Sequence, residues 1–221
     1  GLVGSEMCIR DSINTFDEKL KELCEKMNIH QTVDLDEFPS IQFGLEMALK
    51  DLENKGNRTL FQNKFTKNEK DIKINGLIWM GEYTFMSKQI QEKLEDGFHC
   101  IKVKIGSLNF KDELNLLKQI RKNYKSSELE LRVDANGAYS RTNISYILSE
   151  LAKLDIHSIE QPIAINQWNE MKNLCKDSPI PIALDEELIK PYTKKQKENL
   201  LHFIASIHCI KTIHAWWIQG N

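Results

Sequence analysis

Six charged residues stand where short apolar runs end: Lys102 and Lys104 in "CIKVKI", Asp134 in "LELRVDA", Glu160 in "IHSIE", Asp185 in "PIALDE" and Lys211 in "SIHCIK". From Lys104 onward they recur every 25 to 30 residues, the length of one strand and its return helix. Three carboxylates with no His or Cys beside them make a hard oxygen set suited to Mg2+, with waters or substrate completing an octahedron. A lysine held near a dication loses proton affinity through like-charge repulsion and becomes a base near neutral pH. The pair of features suits removal of a proton next to a carboxylate: the metal stabilises the enediolate and the amine takes the proton.

Each residue also has a plainer reading. A carboxylate that ends a strand is commonly a helix cap or a solvated loop residue, and a KxK pair is commonly an exposed strand face. "DEE" at 185–187 reads alone as an acidic helix start that complements the dipole. What favours a site is the repetition at one spacing on consecutive strand ends. Period-two alternation also puts Lys102 and Lys104 on one face of their strand. His99, His157 and His208 fall near strand starts, at the other rim, and read as structural.

The elements that must position these residues follow one another regularly after residue 75. "GLIWM" precedes a helix with Met86, Ile90 and Leu94 on one face. "CIKVKI" precedes one with Leu114, Leu117 and Ile120, and "LELRVDA" one with Ile144, Ile147, Leu148 and Leu151. "IHSIE" leads to Trp168, Met171 and Cys175, "PIALDE" to a Lys-rich helix near 193–202, and "SIHCIK" to no further unit. Such repeats predict a parallel sheet with helices outside, either doubly wound or a (β/α)8 barrel. No Gly-rich phosphate turn follows the first strand, which disfavours a dinucleotide fold. Polar residues at successive carboxyl strand ends favour the barrel. The fold class expected is therefore α/β, an incomplete (β/α)8 barrel of about six βα units. Ahead of it, residues 13–56 carry two helical patterns, with Leu20, Leu23 and Met27 on one face and Leu45, Leu49 and Leu52 on another.

Composition sets outer limits. Thirty basic against thirty-two acidic residues leave a formal charge of −2, which asks for neither nucleic acid nor an anionic membrane. Five cysteines without a CxxC fit a reducing compartment, so the expected location is cytoplasmic. The leader "GLVGSEMCIRDS" has no basic segment and no apolar core of a signal peptide; residues 1–12 resemble translated adapter DNA and are expected to be non-native.

The motifs "IKVKIG" (101–106), "RVDANGAY" (132–139), "IEQPI" (159–163) and "ALDEEL" (183–188) resemble the enolase superfamily. Within it they are most similar to the o-succinylbenzoate synthase branch of the muconate-cycloisomerase-like group. "FPSIQFGLEMAL" (38–49) and "INGLIWMG" (74–81) are similar to that branch's cap helix and first barrel strand. The resemblance implies residues 13–74 as a remnant of a helical capping domain and 75–221 as a partial barrel. It implies Asp134, Glu160 and Asp185 as Mg2+ ligands, supported by Asn136 and Glu186. It implies Lys104 as the acid/base, beside Lys102, and Lys211 as a second catalytic lysine on the opposite face. The activity implied is dehydration of 2-succinyl-6-hydroxy-2,4-cyclohexadiene-1-carboxylate to o-succinylbenzoate, a menaquinone step, on a small carboxylate substrate. The alternatives are a dipeptide epimerase or N-acylamino acid racemase of the same superfamily, and a non-catalytic fragment; oligomeric state is left open. The family's β-meander and its seventh and eighth strands have no counterpart in this sequence. A one-base shift across "KTIHAWWIQ" turns the Trp216–Trp217 pair into Gly-Gly and permits a Lys-Pro step. Residues after about Lys211 are therefore expected to be off-frame, which a continuous open frame in the coding DNA would test.

Overall fold

The computed structural model describes residues 13–57 and 59–188, together with Lys195, Glu198, Asn199 and His202. The expectations about the leader, the sixth strand, His208, Lys211 and the off-frame tail lie outside the described residues, as does most of the Lys-rich helix. Contacts divide the chain into two compact units, with the change at Asp71–Ile72.

Strict alternation builds the second unit. Its strands are β1 (Gly76–Ile78), β2 (Cys100–Lys104), β3 (Glu130–Asp134), β4 (Ser158–Glu160) and β5 (Ile182–Ala183). They form one parallel sheet in the order β1-β2-β3-β4-β5. Sequential order without reversal is the winding of a barrel; a doubly wound sheet reverses at a switch point. On one face, Ile101, Val103, Leu131, Val133, Ile159 and Ile182 are essentially inaccessible. Each such side chain contributes about 1.5–3 kcal/mol on burial. The other face carries Lys102, Lys104, Glu130, Arg132, Asp134 and Glu160, so period two divides core from chemistry.

Four helices return the chain between strands: α3 (Tyr83–Glu95), α4 (Phe110–Asn123), α5 (Ile144–Ala152) and α6 (Trp168–Asp177). The apolar stripes expected from the sequence meet the sheet: Met86, Leu117, Leu148, Leu151, Met171 and Cys175 are all fully buried. Helix α4 starts at Asn109, whose side chain accepts from the Lys111 N–H, and carries Asp112 and Glu113 in its first turn and Arg121 and Lys122 in its last. Both ends therefore complement the dipole. Arg121 donates to the carbonyls of Leu129, Leu154 and Asp155, tying α4 to the chain before β3 and after α5.

Two strands are shorter than their sequence patterns. In "GLIWM" pairing stops at Ile78, because the Trp79 N–H and C=O bond the Gln89 side chain instead of a strand. In "PIALDE" it stops at Ala183, and a 3-10 turn at Glu186–Leu188 follows.

The first unit has its own small core. Helices α1 (Ile13–Asn28) and α2 (Pro39–Glu53) place Leu23 and Ile41 against Leu35 and Phe38 of the connection, with Phe16, Val33 and Leu45 alongside. Leu20, Met27, Leu49 and Leu52, expected on buried faces, are exposed. Two helices cannot cover each other's full stripe once the connecting loop supplies two of the four buried residues. No helix among the described residues is long and apolar enough to cross a membrane.

Candidate active site

Register turns the sequence spacing into a row. Lys104 pairs with Asp134, Asp134 with Glu160, and Glu160 with Ala183. Lys104, Asp134 and Glu160 thus stand side by side at the carboxyl end of the sheet. Asp185 lies two residues beyond Ala183, past the end of β5. The Lys104 ammonium donates to Asp134 Oδ2 at 2.6 Å and to Asn136 Oδ1 at 2.8 Å. Lys102, one step lower, places its ammonium 2.8 Å from the same Asp134 oxygen and 2.7 Å from Glu160 Oε1. Asn136 in turn donates to Glu186 Oε1 at 2.9 Å. Six of the eight residues singled out in the sequence, Lys102, Lys104, Asp134, Asn136, Glu160 and Glu186, are thereby joined in one network. Asp185 touches it electrostatically by raising the affinity of Glu160 for its proton. Lys211 is the eighth, outside the described residues.

The network is buried, and burial sets its charges. Asp134 is inaccessible. Burial would push its pKa up, but the Lys102 and Lys104 ammoniums outweigh that and hold it below the usual carboxylate value. Glu160 goes the other way: burial, then repulsion from Asp134, lift it to about 7 despite its contact with Lys102. For Lys102, burial alone would lower the amine, yet Asp134 and Glu160 together hold it above its ordinary value. It is Glu160 that is brought to neutrality in this arrangement, while Lys102 is moved away from it. Among the described residues no three acidic, His or Cys side chains converge on one metal-sized point; the Lys102 ammonium stands between two of the carboxylates.

The loops that carry these residues are themselves pinned, in ways the sequence did not announce. Glu113, 2% exposed, accepts the N–H groups of Gly106, Ser107 and Leu108 at 2.8, 3.1 and 3.0 Å, holding the loop directly after Lys104. Its other oxygen accepts from the Tyr139 hydroxyl at 3.2 Å, which joins that loop to the one after β3. Burial and the Glu113 charge push the Tyr139 phenol well above its usual range, so it stays a donor. Gly106 sits at φ 90°, and a Cβ there would lie 2.4 Å from Ala138 Cβ; the two loops meet at a distance that excludes a side chain. The sequence patterns above did not single out Glu113. The Gly106 turn three residues before the cap was the available hint that its N–H groups needed an acceptor.

A separate cleft of about 960 Å³ lies between α3 and α4 and is lined by Ile90, Leu94, His99, Leu116 and Leu129 among others. It opens at the strand starts and holds none of the network residues. His99 and His157 lie at that rim too: His99 C=O accepts from Glu130 N–H, and the His157 ring contacts Ser158 Oγ.

A sequentially wound sheet with helices outside and a lysine–carboxylate row at its carboxyl edge is the architecture of a (β/α)-barrel enzyme of acid/base type. The chain belongs to the enolase C-terminal domain-like family, whose profile matches residues 86–197. It is 52% identical over 152 residues to the o-succinylbenzoate synthase of Desulfotalea psychrophila, covering 69% of this chain and 41% of that protein. The crystal structure of MenC from the same organism superposes with a TM-score of 0.68 at 42% identity, over 90% of this chain and 55% of that one. The o-succinylbenzoate synthase of Thermosynechococcus elongatus BP-1, solved with Mg in its active site, shares the fold with a TM-score of 0.59 at 24% identity, over 78% and 52% of the two chains. The chain thus spans about half the length of the relatives it matches.

Proposed function

We propose that this chain carries the chemistry of an o-succinylbenzoate synthase, a Mg2+-dependent carbon–oxygen lyase of menaquinone biosynthesis. Its substrate would be 2-succinyl-6-hydroxy-2,4-cyclohexadiene-1-carboxylate, a small carboxylate, handled in the cytoplasm. The observation that carries the reading is the row Lys104–Asp134–Glu160, an amine beside two buried carboxylates at one sheet edge. The choice of reaction within the family is supported by the 52% identity to the Desulfotalea psychrophila synthase. The thiols of Cys24 and Cys100, which form no disulfide, agree with a reducing compartment.

The donor types present, carboxylates with no His or Cys among them, suit a hard divalent cation. Asp134 and Glu160 already share a positive charge, that of Lys102, between them. Glu186 keeps one buried carboxylate oxygen with no hydrogen-bond partner among the described residues. Asp134, Glu160 and Asp185 would hold the ion, with Asn136 and Glu186 supporting them. When bound, Mg2+ supplies positive charge that stabilises the negative charge developing on the substrate carboxylate.

Lys104 then does the proton chemistry. In its neutral form the amine takes the proton from the carbon next to the carboxylate, and the ammonium so formed gives it to the departing hydroxyl. A C–H and a C–O bond break on one face, water leaves, and the new double bond completes the aromatic ring. Asn136, 2.8 Å from Lys104 Nζ, aims the amine. Lys211, outside the described residues, would serve as the second catalytic lysine. Incubating the chain with Mg2+ and the cyclohexadiene carboxylate should produce o-succinylbenzoate, followed by ultraviolet absorbance. Epimerisation of dipeptides in D2O without dehydration would overturn this reading in favour of an epimerase, and a chain that binds no Mg2+ would favour a non-catalytic fragment.

A further inference from the structure

We infer that Gln161 is a positioning residue that sets the spacing between Glu160 and Asp185, the two candidate Mg2+ ligands contributed by β4 and the loop after β5. The inference rests on the metal reading of the site and goes beyond it in naming what holds the ligand loops in place.

Asp185 needs such a device. Strand β5 ends at Ala183, so Asp185 has no ladder partner, and its peptide N–H must find an acceptor elsewhere. The Gln161 side chain provides it: Oε1 accepts from Asp185 N–H at 3.2 Å and, at the outer limit, from Glu187 N–H at 3.5 Å. Its Nε2 donates to the Ile163 carbonyl at 3.0 Å, which orients the amide. The side chain therefore uses both halves of a group that accepts and donates; an ionised carboxylate of the same length would lose the donor, and an apolar chain would lose both.

The backbone of Gln161 is held as firmly. Its N–H donates to Ala183 C=O at 2.9 Å, the last residue of β5, and its C=O accepts from Gly137 N–H at 2.7 Å, three residues past Asp134. One residue, directly after Glu160, thus links the chain just past β3, the end of β5 and the loop that carries Asp185. Gln161 is fully inaccessible and has φ 40°, a left-handed conformation that non-glycine residues rarely adopt. Strain of this kind persists where the surroundings over-determine it, which is characteristic of functional sites. Glu187 closes the arrangement by accepting the Asn166 N–H at 2.9 Å, so the turn after Asp185 is tied back to the loop after β4.

The test measures Mg2+ binding to the full chain by calorimetry, for wild type and Gln161→Leu, with urea unfolding of both. Loss of a group that orients ligands should weaken Mg2+ binding roughly 10–100-fold. A purely structural role would lower the unfolding midpoint and leave the dissociation constant of the folded protein unchanged; that result overturns the inference while the metal reading stands. A wild-type chain that binds no Mg2+ overturns both. Should Gln161→Leu fail to fold, amide hydrogen exchange of Asp185 in the wild-type chain decides. A rate at least about tenfold below that of an unprotected amide supports the inference, and an unprotected rate overturns it.

Discussion

Removing the charge of Glu160 should make the metal-free protein relatively more stable at pH 8 than at pH 5. A carboxyl held at about 7 in the fold, against an ordinary 4.5, binds its proton more tightly folded than unfolded between those values. Folding stability therefore falls as pH rises through this window, and the whole loss, about 3 kcal/mol, is in place above pH 7. Glu160→Gln does not titrate, so it escapes that loss. It keeps an acceptor for Lys102, which also retains Asp134 at 2.8 Å and is not left unpaired. Asp134, lowered from 3.8, and Lys102, raised from 10.5, titrate outside this window. Urea unfolding in EDTA at pH 5 and pH 8 measures the effect as the change in midpoint at constant slope. Relative to wild type, Glu160→Gln should gain about 1–3 kcal/mol on going from pH 5 to pH 8. Free Mg2+ at 100 times its dissociation constant should then stabilise wild type by about 2.7 kcal/mol and the variant hardly at all. If the difference between the two proteins is the same at both pH values, the account of Glu160 as a carboxylate held at a cost is wrong.

Lys104→Met removes the amine but leaves Asp134 partnered by Lys102; dehydration should fall at least roughly 100-fold while Mg2+ affinity holds or rises, and a loss of Mg2+ affinity would contradict the separate roles assigned here. Glu113→Ala leaves three N–H groups and the Tyr139 hydroxyl without their acceptor and should destabilise the fold by about 3–5 kcal/mol in urea. Glu113→Gln, which keeps one acceptor oxygen, should cost about 1–2 kcal/mol; equal losses for the two variants would mean that the hydrogen bonds are not what the position supplies.

The sequence by itself determined which residues face one another. A strand and its helix occupy a nearly constant length of chain, and side chains alternate along a strand, so Lys102, Lys104, Asp134 and Glu160 were bound to meet once the strands paired in parallel. The buried stripes on α3 to α6 followed from the same local periodicity. What only the tertiary structure decided depends on contacts between loops far apart in sequence. Lys102 lies between Asp134 and Glu160 because register puts it one step below both. Glu160 reaches neutrality because burial and Asp134 act on it together. Glu113 and Gln161 matter because N–H groups of irregular backbone, outside every ladder, turn toward them. Periodicity has nothing to say about such groups, since they belong to residues that follow no period.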